Sequence, residues 1–248
     1  MTNLANDYLA AVGGLLERLR TEEQDNIDAA ARLLADAVVE GRRIFAFGCT
    51  HSALPVQDII YRAGGLMLIN PIFGPGITSL ETRPTTLTSA MEKLEGFADA
   101  LLDATPIQPG DVLIVVSVSG RNAVPIEMAK GAKERGLQVI AVTSVAYSGS
   151  VESRHPSGTK MHDHADVVLD NKVDVGDAVL EHPNVPQKFT PASGVTSTAL
   201  LHAMVSGAIQ RVADSGVEPP VFLAANVDGG AEYNARLTAE HGDRIFFL

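Results

Sequence analysis

Residues 42–52 read RRIFAFGCTHS and residues 112–122 read VLIVVSVSGRN, and these two stretches decide the fold. In each, a short apolar run without polar alternation ends in a cluster of glycine and hydroxyl residues. Such a run fits a strand buried on both faces of a parallel sheet. Working outward, helical spacing at Ile27, Ala30, Ala31, Leu34 and Val38 predicts a helix over 22–39, stopped by Gly41. A helix over 54–63 is predicted before the run LMLI at 66–69, and one over 87–103 before VLIVV at 112–116. A helix over 123–135 precedes QVIAVT at 138–143; DVVLD follows at 166–170, and a long helix is predicted over 195–214. The tail is expected to add a helix and a final strand. Buried strands alternating with helices imply right-handed crossovers and a parallel sheet with helices on both faces.

The composition narrows the function. A chain of 248 residues makes one large α/β domain or two small ones, and no linker divides this one. Nineteen Lys and Arg against thirty Asp and Glu give a net charge of −11, which argues against nucleic acid or a bilayer surface as a partner. With 46% hydrophobic and 20% charged residues the chain is globular. No apolar run reaches the roughly 18–20 residues that span a bilayer. The N-terminal segment lacks the basic start of a signal peptide, and the lone Cys49 has no disulfide partner, so a cytoplasmic setting is expected.

In an open parallel sheet, ligands bind beyond the carboxyl ends of the strands, where helix N-termini point in. Gly48-Cys49-Thr50-His51-Ser52 and Ser117-Val118-Ser119-Gly120-Arg121-Asn122 both fall there. The second is the stronger signal. Ser119-Gly120 makes a tight turn, the following helix offers free N–H groups, and Ser117, Ser119 and Asn122 add neutral donors. Together they suit a phosphate monoester; the alternative is that Ser119 or Asn122 only caps the helix. Neither G-x-G-x-x-G after the first strand nor G-x-x-x-x-G-K-[ST] is present, which weakens a nucleotide reading.

FGCTHS at 47–52, VSVSGRN at 116–122 and GLQVIAVTS at 136–144 together resemble the SIS (sugar isomerase) domain. The resemblance covers about residues 25–214, flanked by an N-terminal helix and a C-terminal extension over 215–248. YRAGGL (61–66), HPSG (155–158), GDAVLE (176–181) and GVEPPVFLAANVDG (216–229) are similar to a branch of stand-alone SIS proteins. It implies a flavodoxin-like three-layer α/β/α sandwich with a mainly parallel sheet. It also implies a phosphate loop of the form S-x-S-G-x-T, in which Asn122 here stands where Thr is usual. Gly48, Thr50, Ser52, Ser117, Ser119, Gly120 and Asn122 are then expected to cradle the phosphate of a sugar phosphate. SIS domains commonly form two-fold dimers, so a homodimer is expected.

Enzymes of this family remove the proton at C2 beside an opened C1 aldehyde. The resemblance makes Glu81 the expected base. It lies in the Pro- and Gly-rich excursion NPIFGPGITSLETRPTT at 70–86, a loop long enough to be functional. His51, inside the first loop, and His202, on the long helix, are candidates to assist ring opening; His202 on an apolar helix also reads as a core histidine. His162-Asp163-His164 invites a metal, but alternate residues of a strand face opposite ways and no third ligand is in view, so no metal or cofactor is expected. Cys49 reads as a small buried thiol rather than a nucleophile. The expected function is dehydration of a hexosamine 6-phosphate such as N-acetylglucosamine 6-phosphate. The alternatives are an aldose–ketose phosphosugar isomerase and a sugar-phosphate sensor without turnover.

Overall fold

A computed structural model describes residues 3–78 and 82–248. Two helices, α1 (Leu4–Glu22) and α2 (Gln24–Val39), lead into β1 (Ile44–Gly48), α3 (Ala53–Asp58) and β2 (Ile69–Pro71). Then come α4 (Thr86–Met91), α5 (Phe97–Asp103), β3 (Val112–Val116), α6 (Ala123–Glu134), β4 (Gln138–Thr143), α7 (Val145–Gly149) and β5 (Val167–Asp170). A hairpin, β6 (Ala178–His182) and β7 (Val185–Pro191), precedes the long α8 (Ser193–Asp214) and α9 (Gly230–His241). The first five strands form one parallel sheet in the order β2-β1-β3-β4-β5. That is the flavodoxin-like order, with its switch point between β1 and β3.

The unbroken apolar runs have the physical cause expected of them. Successive strand side chains point to opposite faces, and both faces are covered. Ile44, Ala46, Ile114, Val116, Ile140 and Val142 pack with Leu34 of α2 and Leu201 and Met204 of α8. Phe45, Phe47, Leu113, Val115, Val139 and Ala141 pack with Val124 and Met128 of α6 and Leu102 of α5. At Gly207 a Cβ would lie 3.0 Å from that of Ala31, so the glycine lets α8 lie close on α2.

Several elements differ from the sequence reading. The helix expected over 22–39 begins at Gln24, because Glu23 turns inward: its side chain is buried, takes Lys172 Nζ at 2.7 Å and accepts the Asp170 N–H at 3.1 Å. The helix expected over 87–103 is two helices. Gly96 between them has a left-handed φ of 79°, and its N–H donates to both carboxylate oxygens of the buried Glu127, at 3.0 and 2.8 Å. Of LMLI only Ile69 joins the sheet; Gly65 and Met67 bond to Phe222 and Pro220 instead. The expected final strand does not form. The side chain of buried Asn70 takes its place, accepting from Phe246 N–H at 2.7 Å and donating to the Arg244 carbonyl at 2.9 Å. The β6–β7 hairpin, mostly exposed, was not expected at all.

Glu23 and Lys172 tie the end of β5 to the start of α2, with Asp170 at 3.2 Å and Glu22 at 3.4 Å also on Lys172. Removing one partner of a buried ion pair leaves the other uncompensated, at a cost of about 3–5 kcal/mol. Glu23→Ala should fall toward the low end of that range because Asp170 and Glu22 remain. Urea unfolding at pH 7 measures it, and an unchanged midpoint would refute the role.

Candidate functional site

Gly48 and Val116 are register partners at the carboxyl ends of β1 and β3, so the two glycine- and hydroxyl-rich loops leave the sheet side by side. A cleft of about 510 Å³ opens there. Its walls are His51, Ser52, Leu54 and Pro55 on one side and Val116 and Val118 on the other. Asp177 and Pro191, at the foot of the hairpin, close it together with Ser193, Gly194, Val195 and Ser197 of the first turns of α8. The volume suits a small organic ligand, and the position is the switch point of the sheet.

The loop after β1 is tightly folded. A Cβ on Gly48 would lie 2.3 Å from the Ser52 carbonyl oxygen, so no side chain fits there. Thr50 has a left-handed φ of 52°, held by its N–H donating to the Ile77 carbonyl at 2.6 Å. In the loop after β3, the Ser117 hydroxyl accepts the Gly120 N–H at 3.3 Å. Gly120 has a φ of 57°, and a Cβ on it would come 3.3 Å from Ser148 Oγ. Glycine is needed at both positions. The hydroxyls of Thr50, Ser52 and Ser119 make no hydrogen bond among the described residues and each residue is partly exposed; of the three, Ser52 lines the cleft. They are donors left over after the protein has satisfied itself.

Asn122 does not cap α6 with its side chain. Its Oδ1 accepts from Arg154 Nη1 at 3.2 Å, and its side chain also bonds the Glu92 carboxyl. Burial pushes that carboxyl above the ordinary carboxylate range, against the opposing pull of the Asn122 bond and of the Lys93 and Arg154 charges. Cys49 is buried, and burial, with the nearby Glu92 charge, pushes its thiol well up, away from the reactive thiolate.

The other expected residues are dispersed. His51 lines the cleft and is exposed. His202 is neither in the core nor on the cleft wall; its side chain is 39% exposed and its Nε2 lies 2.9 Å from Asp58 Oδ2. Glu81 lies outside the described residues. His162 shares a hydrogen with Ser148 Oγ at 3.3 Å and His164 with Thr159 Oγ1 at 2.9 Å, so the two rings serve local loop contacts. Among the described residues no three His, Cys, Asp or Glu side chains are grouped to hold a metal. The sequence reading passed over Asp177, whose carboxylate accepts the Ser193 N–H at 2.8 Å and the Ala192 N–H at 3.1 Å, and which also takes the Ser193 hydroxyl. It also passed over Glu92. GDAVLE contained the first signal; a carboxylate between two short helices gave none.

Fold and site together define an open α/β protein with a cleft at the switch point of its sheet. The chain belongs to the SIS-domain family, whose model matches residues 7–144. It is 51% identical to UPF0309 protein SCO4393 of Streptomyces coelicolor over 98% of this chain and 97% of that one. Among solved structures it resembles phosphoheptose isomerase GmhA from Neisseria gonorrhoeae (TM-score 0.55, 23% identity, 83% of this chain and 97% of that one). It also resembles the Vibrio vulnificus NanR protein complexed with ManNAc-6P (TM-score 0.50, 12% identity, 87% of this chain and 68% of that one). Among the described residues no helix is long and apolar enough to cross a membrane.

The raised Glu92 carboxyl has a consequence for stability. An acid whose folded pKa is raised costs the fold nothing below its unfolded pKa; the cost grows as pH rises from the unfolded to the folded value and is complete above the folded one. Glu92→Gln should therefore melt higher than the parent at pH 8, with the gain vanishing by about pH 3, where a glutamate is protonated in both states. Melting curves at the two pH values decide; an equal difference at both would sink the assignment.

Proposed function

We propose that the protein binds a hexosamine 6-phosphate in the switch-point cleft and eliminates water from it, as an N-acetylglucosamine 6-phosphate dehydratase-like lyase. The observation that carries the reading is the set of unbonded hydroxyls of Thr50, Ser52 and Ser119. They sit on two turns that leave adjacent strands, where an anionic oxygen can take several donors at once. The ManNAc-6P bound to a protein of the same fold supports an acetamido sugar phosphate as the ligand class.

The chemistry starts from the open-chain aldehyde. Glu81 takes the C2 proton, and the electron pair is held as an enolate on the C1 carbonyl. An N-acetyl group at C2 blocks simple aldose–ketose transfer. The enolate then reforms the carbonyl, the C2=C3 double bond forms, and the C3–O bond breaks. The departing oxygen takes a proton and leaves as water. Glu92, protonated further up the pH scale than an ordinary carboxyl, is suited to supply that proton. His51 or His202 assists ring opening. A second copy of the chain packs on the exposed Leu9 and Leu16 of α1 to make a homodimer; sedimentation equilibrium giving only monomer would refute that part.

Incubation with N-acetylglucosamine 6-phosphate and no added cofactor should give a product lighter by one water and newly absorbing in the ultraviolet. Glu81→Gln should keep binding and lose turnover by about 10²-fold or more. A ketose phosphate of unchanged mass, formed from glucose or fructose 6-phosphate, would make the protein an isomerase instead. Tight binding with no deuterium exchange at C2 would make it a sensor.

A further inference from the structure

The cleft at the switch point has walls of unlike polarity. On the side of the first loop, Ser52 brings a hydroxyl that bonds to nothing among the described residues. On the opposite side, where the hairpin foot meets α8, Ser197 is buried and bonded to Asn171, so Asp177 and Ser193 are the polar side chains that remain. Both present acceptors. The Ser193 hydroxyl donates its proton to Asp177 Oδ2, which leaves its oxygen with lone pairs.

The charge on this wall is of one sign. Among the described residues that line the cleft, Asp177 is the only acid, and no Lys or Arg offsets it. The donors turned toward its carboxylate are uncharged: the Ala192 N–H at 3.1 Å, the Ser193 N–H at 2.8 Å and the Ser193 hydroxyl. No Lys, Arg or His among the described residues forms an ion pair with it. Its position matters as much as its charge. The N-terminal end of a helix is the part of a wall that most readily takes an anion, through its free N–H groups and its dipole. α8 brings such an end to the cleft, and Asp177 already occupies it. A second anionic group in the cleft meets a like charge there, whereas a sugar hydroxyl or an amide N–H meets two acceptors.

We infer that Asp177 is a specificity-determining residue: its carboxylate admits sugar phosphates that carry hydroxyl or N–H groups at the end remote from the phosphate and rejects those that carry a second acid there. This rests on the phosphosugar reading above and deepens it, by stating which sugar phosphates the cleft refuses. A placed repulsive charge lowers the affinity of the wrong ligand without demanding more contacts from the right one.

Glucitol 6-phosphate and 6-phosphogluconate are open-chain phosphates that differ only at C1, an alcohol in one and a carboxylate in the other. Calorimetric titration of the wild type with both, and with N-acetylglucosamine 6-phosphate, should show the acid binding weaker than glucitol 6-phosphate by about tenfold or more. Asp177→Asn should bring the open-chain pair within about threefold, since the amide oxygen still accepts N–H groups and Asn tolerates a left-handed φ while the charge is gone. Ser193→Ala keeps the charge and should keep the discrimination. So should Asp36→Asn, which removes an exposed acid near the C-terminal end of α2, at the other end of the sheet, and controls for the net charge of −11. Equal binding of the pair by the wild type, or undiminished discrimination in Asp177→Asn, overturns the inference and leaves the phosphosugar reading standing. Loss of discrimination in Ser193→Ala or Asp36→Asn overturns it too, by assigning the effect to the helix start or to the net charge. Binding of N-acetylglucosamine 6-phosphate but of neither open-chain probe does the same, because refusal then does not follow the charge. If the wild type binds none of the three, both the inference and the phosphosugar reading fall.

Discussion

β1 and β3 lie side by side in the middle of the sheet, and every residue of both is buried. A strand covered on both faces has nowhere along its length to offer a polar side chain, so chemistry can begin only where it ends. The chain leaves the end of β1 toward β2 on one side and the end of β3 toward β4 on the other. The crevice between those departures is left open by the topology itself. Gly48 then makes the first loop fold back within a van der Waals distance that excludes any side chain, which brings His51 and Ser52 to the opening. The start of α8 supplies the rest of the wall through Ser193 and Ser197. The Ser197 hydroxyl is spent on the buried Asn171 amide at 3.1 Å, so of the two it is Ser193 that stays coupled to a cleft residue, Asp177.

What was legible in the sequence follows from what is local. The apolar runs of β1, β3 and β4 and the stripe of α8 were readable because burial on both faces leaves no alternation to confuse them. The two turns were readable because left-handed glycine and paired hydroxyls are decided within a few residues. The break at Gly96 was not, because it depends on Glu127, 31 residues away in the chain. The missing last strand depends on Asn70, 176 residues from its partner Phe246. The surroundings of Glu92 lie in the same class: they are set by partners that the fold brings, and nothing local in the sequence marks them.

Charge adds a further constraint. With a net charge of −11 the molecule repels a phosphate dianion at long range, so the binding proposed above would have to be won within the cleft. Two guanidiniums, Arg121 in the turn and Arg154 on Asn122, concentrate positive charge at one end of the sheet. Glu92, which would oppose them, is pushed by burial toward its neutral form. The local balance is therefore more favourable to an anion than the overall composition, and the sequence reading of a turn built from neutral donors understates it.

Backbone near the cleft also departs from the conformations that side chains prefer, as it does at Tyr61 and Lys172 elsewhere. Thr50, Asp177 and Thr190 have φ values of 52°, 61° and 65°, in the left-handed region that costs an ordinary residue about 1–2 kcal/mol. Thr50 is in the first loop, Asp177 lines the cleft, and Thr190 precedes Pro191, which also lines it. Glycine would adopt all three without that cost, so the side chains must contribute something glycine lacks. At Asp177 the contribution is visible: its carboxylate holds the first N–H groups of α8 and the Ser193 hydroxyl, fixing the helix start against the hairpin foot. At Thr50 the hydroxyl is one of the unbonded donors, so its return within the protein alone is nil. Strain retained for a group that bonds nothing in the protein is best accounted for by a ligand that uses the group.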